Sequence, residues 1–167
     1  TSAYDYFGIS VAISGNYAVV GAYGEGDAGG TTSGKAYIFD VTTGSLLHTL
    51  HNPNAYGTSD EDIFGEAVAI SGNYAVIGAK YEGDAGGAYS GKVYIFDVTT
   101  GSLLHTLNNP NAYGTSGDDQ FGYSVSVDGN YAIVGTPLED DGRTTSGKVY
   151  IFDATTGSLL RTLNNPN

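Results

Sequence analysis

The sequence contains no cysteine, no methionine and no tryptophan, and only 6 of its 167 residues are lysine or arginine. Without cysteine it has neither a disulfide framework nor a thiolate metal site. Its 18 acidic residues give a formal net charge of −12, which repels nucleic acid phosphates and anionic membranes. No apolar stretch approaches the length that spans a membrane. We therefore expect neither nucleic acid nor membrane as a partner.

Glycine and tyrosine are abundant, with 26 and 14 residues, and 40% of the chain is hydrophobic. This hydrophobic share is enough for a packed core in a chain of this length. Long runs of good helix formers are missing, whereas short β-rich runs alternate with glycine clusters. This pattern predicts an all-β fold.

One segment repeats along the whole chain. The Phe-Gly pair recurs every 57 residues, at Phe7-Gly8, Phe64-Gly65 and Phe121-Gly122. Internal repetition on this scale is typical of propellers and solenoids. The three copies are 1–57, 58–114 and 115–167, and the third has one residue fewer in its acidic loop.

Each copy contains four predicted strands. In copy one they are Ile9–Ile13, Tyr17–Ala22, Lys35–Val41 and Leu46–Leu50. Short turns rich in glycine and polar residues separate the first strand from the second and the third from the fourth, as in hairpins. The sequence therefore predicts three four-stranded antiparallel β-propeller blades in one chain.

Stacking of such blades would bury the apolar residues that alternate along the strands. In copy one these are Val11, Ile13, Val19 and Ile38, and we also expect the phenylalanine of each Phe-Gly pair to be buried. Asp40 is placed to accept amide protons from the turn Thr42-Thr43-Gly44.

The Phe-Gly pair, a Val-x-Ile strand, a turn and then Val-Gly-Ala resemble the FG-GAP repeat of integrin α-subunit propellers and many bacterial surface proteins. The Gly-Ala-Pro element of that family corresponds to Gly21-Ala22-Tyr23, Gly78-Ala79-Lys80 and Gly135-Thr136-Pro137. The resemblance implies the propeller fold and favours a bacterial extracellular or cell-surface location. Calcium-binding members carry an acidic loop after the first strand, where this chain has Ser14-Gly15-Asn16. It is similar to the calcium-free version of the repeat.

The second half of each copy also resembles the quinoprotein-type repeat, through Asp40-Val41-Thr42-Thr43-Gly44. The tryptophan expected after that turn is replaced by His48, His105 or Arg161. We therefore expect no quinone cofactor, and no other cofactor.

The acidic loops are the candidate cation sites. They contain Glu25 and Asp27, Glu82 and Asp84, or Glu139, Asp140 and Asp141. We interpret them as flexible, solvated loops. The alternative is a weak cation site, for which Glu139, Asp140 and Asp141 are the candidate metal ligands. We expect a separate acidic position, represented by Asp5, Asp62 and Asp119, to cap the turn before the Phe-Gly strand.

No set of residues predicts catalysis. Gly29–Lys35 formally matches a phosphate-binding loop, but a strand follows where that loop needs a helix. His48 and His105 are repeat equivalents, and we expect half-exposed strand positions for them. We expect the repeated tyrosines to pack between blades, the alternative being a sugar-stacking surface. The sequence thus predicts that the protein is not an enzyme.

Three blades form only an arc, because closed propellers have at least four. The two end blades would expose faces that fit each other, so we expect head-to-tail self-assembly into a closed ring. Two chains would give six blades and three chains nine, with the dimer preferred. The rival interpretation is that the chain is a fragment of a longer propeller. The alternative function is a bacterial surface module that binds glycan, protein or a weak cation through its loops.

Overall fold

The computed structural model describes residues 4–26, 32–53, 61–83, 89–110, 118–139 and 146–167. These residues form three four-stranded antiparallel sheets, one for each copy of the repeat, with the strands of each sheet in sequence order. The three sheets are three propeller blades, as the sequence predicts. No helix that is long and apolar enough to cross a membrane occurs in this described part of the chain.

The strands of the three blades occupy equivalent positions. Blade 1 consists of β1 (Val11–Ser14), β2 (Tyr17–Ala22), β3 (Lys35–Asp40) and β4 (Leu46–His51). Blade 2 consists of β5 (Ala67–Ser71), β6 (Tyr74–Ala79), β7 (Lys92–Asp97) and β8 (Leu103–Asn108). Blade 3 consists of β9 (Ser124–Asp128), β10 (Tyr131–Thr136), β11 (Lys148–Asp153) and β12 (Leu159–Asn164). In blade 1 the observed first strand begins at Val11, two residues later than predicted, and the other observed strand boundaries agree with the predicted ones within one residue.

An aspartate holds the turn between the third and fourth strands of each blade. The Asp40 carboxylate accepts the backbone N–H of Thr42 at 2.8 Å and that of Thr43 at 2.9 Å. Gly44 then adopts a φ of +71°, a left-handed conformation that glycine adopts without steric cost. Hydrogen bonds from Thr42 and Thr43 hold the pKa of Asp40 below its ordinary value. The same turn recurs at Asp97 and Asp153.

Each blade has two faces. We call the face that carries the phenylalanine of the Phe-Gly pair the leading face, and the opposite one the trailing face. In the junction between blades 1 and 2, Val19, Ile38 and Leu50 of the trailing face pack with Phe64 and Val68 of the next leading face. The junction between blades 2 and 3 repeats this arrangement with Val76, Ile95, Leu107, Phe121 and Val125. The core is therefore two equivalent inter-blade layers that share blade 2.

The glycine of the Gly-Ala element lets neighbouring blades approach closely. A Cβ atom on Gly21 would lie 1.8 Å from the carbonyl oxygen of Gly65, and one on Gly78 would lie 2.2 Å from that of Gly122. Any side chain there would collide with the backbone of the next blade. This contact explains why the repeat needs glycine at that position.

Candidate functional site

The leading face of blade 1 is uncovered. Phe7 is 57% exposed, whereas its equivalents Phe64 and Phe121 are fully buried. Val11 and Ile13 are 67% and 68% exposed on the same face. The prediction of burial is therefore confirmed for Phe64 and Phe121 and is wrong for Phe7, Val11 and Ile13. The physical reason is that, among the described residues, no neighbouring blade packs on this face of blade 1.

The trailing face of blade 3 is uncovered in the same way. Leu163 is 46% exposed and Ile133 is 38% exposed. Their equivalents in blade 2, Leu107 and Val76, are buried against blade 3. Tyr131, whose equivalent Tyr74 packs on that same core, is also exposed.

Two open grooves cross this trailing face, with volumes of about 520 and 530 Å³. The first is lined in part by Gly135, Gly147 and Leu163. At the junction between blades 2 and 3, the equivalents of these two glycines, Gly78 and Gly91, lie against the backbone of the next Phe-Gly pair. The second groove is lined by Ser126, Asp128, Tyr131, Ile133, Ile151, Leu160 and Arg161.

An ion pair lies inside each blade, next to the leading face, and it is buried in blades 2 and 3. In blade 2 the Lys92 ammonium donates to the Glu82 carboxylate at 2.8 Å, and the Tyr94 hydroxyl donates to the same carboxylate at 2.7 Å. Burial raises the pKa of Glu82, while hydrogen bonds from Lys92 and Tyr94 oppose that shift. Burial and the adjacent Glu82 charge raise the pKa of Tyr94. A buried charge of this kind is tolerated because it is paired and hydrogen-bonded.

The other two blades repeat this network, which we call the Glu–Lys–Tyr network. Its members are Glu25, Lys35 and Tyr37 in blade 1, and Glu139, Lys148 and Tyr150 in blade 3. The interpretation of these glutamates as parts of solvated loops is thus wrong, because Glu82 and Glu139 are fully buried. The lysine that ends the phosphate-loop-like pattern starts a strand and serves this network. The expectation that these tyrosines pack inside is confirmed for Tyr94 and Tyr150.

An asparagine at the end of one blade connects it to the network of the next. The Asn52 side-chain amide donates to the Asp62 carboxylate at 2.9 Å, and Asn109 donates to Asp119 at 2.8 Å. Asn52 also hydrogen-bonds Glu82. Asp62 and Asp119, the positions predicted to cap the turn before the Phe-Gly strand, take part in these inter-blade contacts.

Two of the three histidines, His48 and His105, form a second inter-blade contact. The Nε2 atom of His48 lies 3.1 Å from the carbonyl oxygen of Thr99, and that of His105 lies 3.0 Å from that of Thr155. Because a carbonyl oxygen only accepts, Nε2 is the donor in both cases. Both rings are half-buried strand positions, as predicted.

Of the three candidate cation ligands of copy three, the structure describes only Glu139. Glu139 is engaged by Lys148 and Tyr150, and Asp140 and Asp141 lie outside the described residues, as do Asp27 and Asp84. Within the described ranges, no group of three or more histidine or acidic side chains is arranged to hold a metal ion.

Sequence reasoning missed the Glu–Lys–Tyr networks and the asparagine contacts. The available signal was invariance between copies: the glutamate, the lysine and the tyrosine recur in all three copies, even though the loop of copy three is one residue shorter. Asn52, Asn109 and Asn165 recur in the same way, each before a proline.

Comparison with known families agrees with this architecture. The sequence model of the FG-GAP repeat matches three segments, residues 1–39, 54–96 and 111–152. No curated protein shows a significant match to the chain. Each matched segment begins before the first strand of one blade and ends within its third strand, and the three together cover most of the sequence. The chain belongs to the FG-GAP repeat family.

Proposed function

We propose that the chain is a non-enzymatic β-propeller module that acts as a scaffold by binding further copies of itself, head to tail, in a closed ring. The observation that carries this proposal is the equivalence of the uncovered and the covered faces. Five exposed apolar residues on the two end faces each correspond to a residue that is buried in an internal junction: Phe7, Val11, Ile13, Ile133 and Leu163.

The docking partner is a second copy because the internal junctions already contain this interface. The leading face of blade 1 has the same phenylalanine and the same valine–isoleucine strand that blade 2 packs against blade 1. The first groove on blade 3 has glycines where an incoming Phe7-Gly8 backbone needs space. A head-to-tail contact of this kind closes into a ring when the rotation per chain permits.

The polar residues that differ between copies also fit this pairing. At the junction between blades 2 and 3, the Lys80 ammonium lies 4.6 Å from the Tyr123 ring centroid. The equivalent positions on the end faces are Pro137 on blade 3 and Ile9 on blade 1. Contact between chains would therefore join two apolar side chains at this point and leave no charge unpaired.

The mass in solution tests the proposal. Light scattering at about 10 μM should give two or three times the chain mass of 17.2 kDa, corresponding to six or nine blades. A well-folded monomer at this concentration would refute the ring.

Two face-blocked variants test the head-to-tail geometry. Ile13→Asp places a charge on the leading face and Leu163→Asp on the trailing face, both at positions that are exposed in the free chain. Each variant alone should be monomeric, and an equimolar mixture should give an open dimer with one intact junction. Leu103→Asp is the matched control, because Leu103 is exposed on blade 2, whose two faces are covered. A self-associating Ile13→Asp variant would contradict the pairing.

A glycan-binding surface is the second candidate function, and one groove favours it. The rings of Tyr81 and Tyr89 lie edge to face at 5.2 Å, and with Glu61, Asp118 and Gln120 they line an open groove of about 350 Å³. Aromatic faces pack on sugar rings, while carboxylates and amides accept or donate hydrogen bonds to hydroxyls. Tyr81 and Tyr89 have no tyrosine counterparts in the other copies.

A glycan array separates this candidate from a pure scaffold. Binding that Tyr81→Ala and Tyr89→Ala abolish would support it, with Tyr4→Ala as the control at an exposed tyrosine elsewhere. We expect no micromolar calcium binding by calorimetry, since the Glu82 and Glu139 carboxylates are held by lysines. Tight calcium binding would contradict this expectation.

A further inference from the structure

The C-terminal asparagine of the repeat has a different partner in blade 3 than in the other two blades. Asn52 and Asn109 reach the aspartate of the following blade, whereas the Asn165 amide donates to the Ser146 carbonyl oxygen of its own blade at 3.2 Å. In the described part of the structure no blade packs on the trailing face of blade 3, so no equivalent aspartate is supplied to Asn165 there.

The Ser146 carbonyl that Asn165 covers has a defined role at the internal junctions. The equivalent carbonyl oxygen of Ser33 accepts the backbone N–H of Phe64 at 3.1 Å, and that of Ser90 accepts the N–H of Phe121 at 3.0 Å. Asn165 therefore occupies the acceptor that, by repeat equivalence, belongs to the N–H of an incoming Phe7.

The aspartate that an asparagine of a preceding blade would bind lies in blade 1. Asp5 is the repeat equivalent of Asp62 and Asp119, and the nearby Glu25–Lys35 pair is 3.1 Å long, against 2.8 Å for the pairs in the other blades. The side chains of Glu25 and Lys35 are 19% and 17% exposed, whereas those of the other two pairs are 2% exposed or less. This network is open on the side where a preceding blade would supply an asparagine.

We propose that Asn165 exchanges partners when two chains join: it releases the Ser146 carbonyl to the Phe7 N–H of the next chain, and its amide binds Asp5 there. This inference rests on the proposed head-to-tail assembly. The exchange keeps both hydrogen-bonding groups satisfied before and after contact, and it fixes the register of the two faces. Asparagine suits the role because it brings donors to carboxylates without adding charge.

The open dimer formed by the two face-blocked variants isolates a single junction. In that dimer the Ile13→Asp chain supplies Asn165, and the Leu163→Asp chain supplies Asp5. Adding Asn165→Ala to the Ile13→Asp chain should raise the dissociation constant by roughly tenfold to a hundredfold, the range for hydrogen bonds to charged groups. The same substitution in the Leu163→Asp chain is the matched control and should leave the dissociation constant unchanged.

A double-mutant cycle separates a direct contact from a structural effect. When the Leu163→Asp chain also carries Asp5→Ala, adding Asn165→Ala to its partner should weaken binding little further. If Asn165→Ala weakens binding equally with and without Asp5→Ala in the partner, the exchange is overturned. An unchanged dissociation constant on adding Asn165→Ala alone would also overturn it. In both cases an assembling wild-type chain leaves the ring proposal standing. A monomeric wild-type chain overturns both proposals.

Discussion

Blade 2 and the two end blades contain nearly the same residues in different surroundings. Phe64 is fully buried and Phe7 is largely exposed, although both precede a glycine in the same repeat. Lys92 is shielded from solvent and Lys35 is partly exposed, although both pair with a glutamate. The comparison teaches that burial in this molecule is set by the presence of a neighbouring blade as much as by the residue. Substitutions at equivalent positions should therefore differ in effect.

The largest contrast is expected at the phenylalanines. Phe64→Ala should lower the free energy of unfolding by about 3–5 kcal/mol, because it empties a buried aromatic site. Phe7→Ala should lower that of the dissociated chain by less than about 1 kcal/mol, as for most exposed substitutions, and should weaken assembly instead. Denaturant titration at low protein concentration measures the first quantity. A loss below about 1 kcal/mol for Phe64→Ala would contradict the register of blade 2.

The Glu–Lys–Tyr networks give the next contrast. Lys92→Ala should destabilise the fold by about 3 kcal/mol, since it leaves the Glu82 carboxylate buried without its cation. Lys35→Ala should cost about 1 kcal/mol or less, because solvent reaches the Glu25 carboxylate in the free chain. Thermal unfolding of the two variants side by side checks the ranking. Equal losses would mean that the blade 1 network is as dry as that of blade 2.

Substitutions of the glycines in the Gly-Ala element should differ less in their effect on the free energy of unfolding. Gly78→Ala places a methyl group 2.2 Å from the Gly122 carbonyl oxygen, a backbone atom that cannot move away, and should cost about 1–3 kcal/mol. Gly135→Ala meets only the Ser124 side chain, which can rotate, and should leave the dissociated chain nearly unchanged. Gly135→Ala should instead weaken the contact between chains and so lower the mass of the assembly. Denaturant titration and light scattering on both variants separate the two outcomes.

The smallest contrast concerns the turn aspartates. A hydrogen bond from Thr155 is the main cause of the lowered pKa of Asp153, and the nearby His105 charge adds to it. His105→Ala should therefore raise the pKa of Asp153 and leave that of Asp40 unchanged, as seen by NMR titration. Because the folded-state pKa values lie below the ordinary one, these turns stabilise the fold at neutral pH. That stabilisation is lost as the pH falls below about 4, through the folded-state values.

Local patterns were sufficient to predict the strands and turns. Alternation, the Ser14-Gly15-Asn16 turn and the Asp40 turn each act within a few residues, so they are legible in one copy of the repeat. The buried glutamates were not predictable in this way. Glu82 lies in a glycine-rich loop, and its partners Lys92 and Tyr94, about ten residues later in the sequence, reach it only when the sheet forms. The exposure of Phe7 was missed for the opposite reason, because its local sequence is that of a buried residue.

The shared position of blade 2 has a consequence for how the molecule opens. Two cores meet at this blade, so it has two nearest neighbours while each end blade has one. In a linear array with nearest-neighbour coupling, the terminal units unfold locally before the central one. Amide hydrogens of blade 2 should then exchange most slowly in the free chain. Closing the ring gives every blade two neighbours, and the slow exchange of blade 2 would extend to blades 1 and 3.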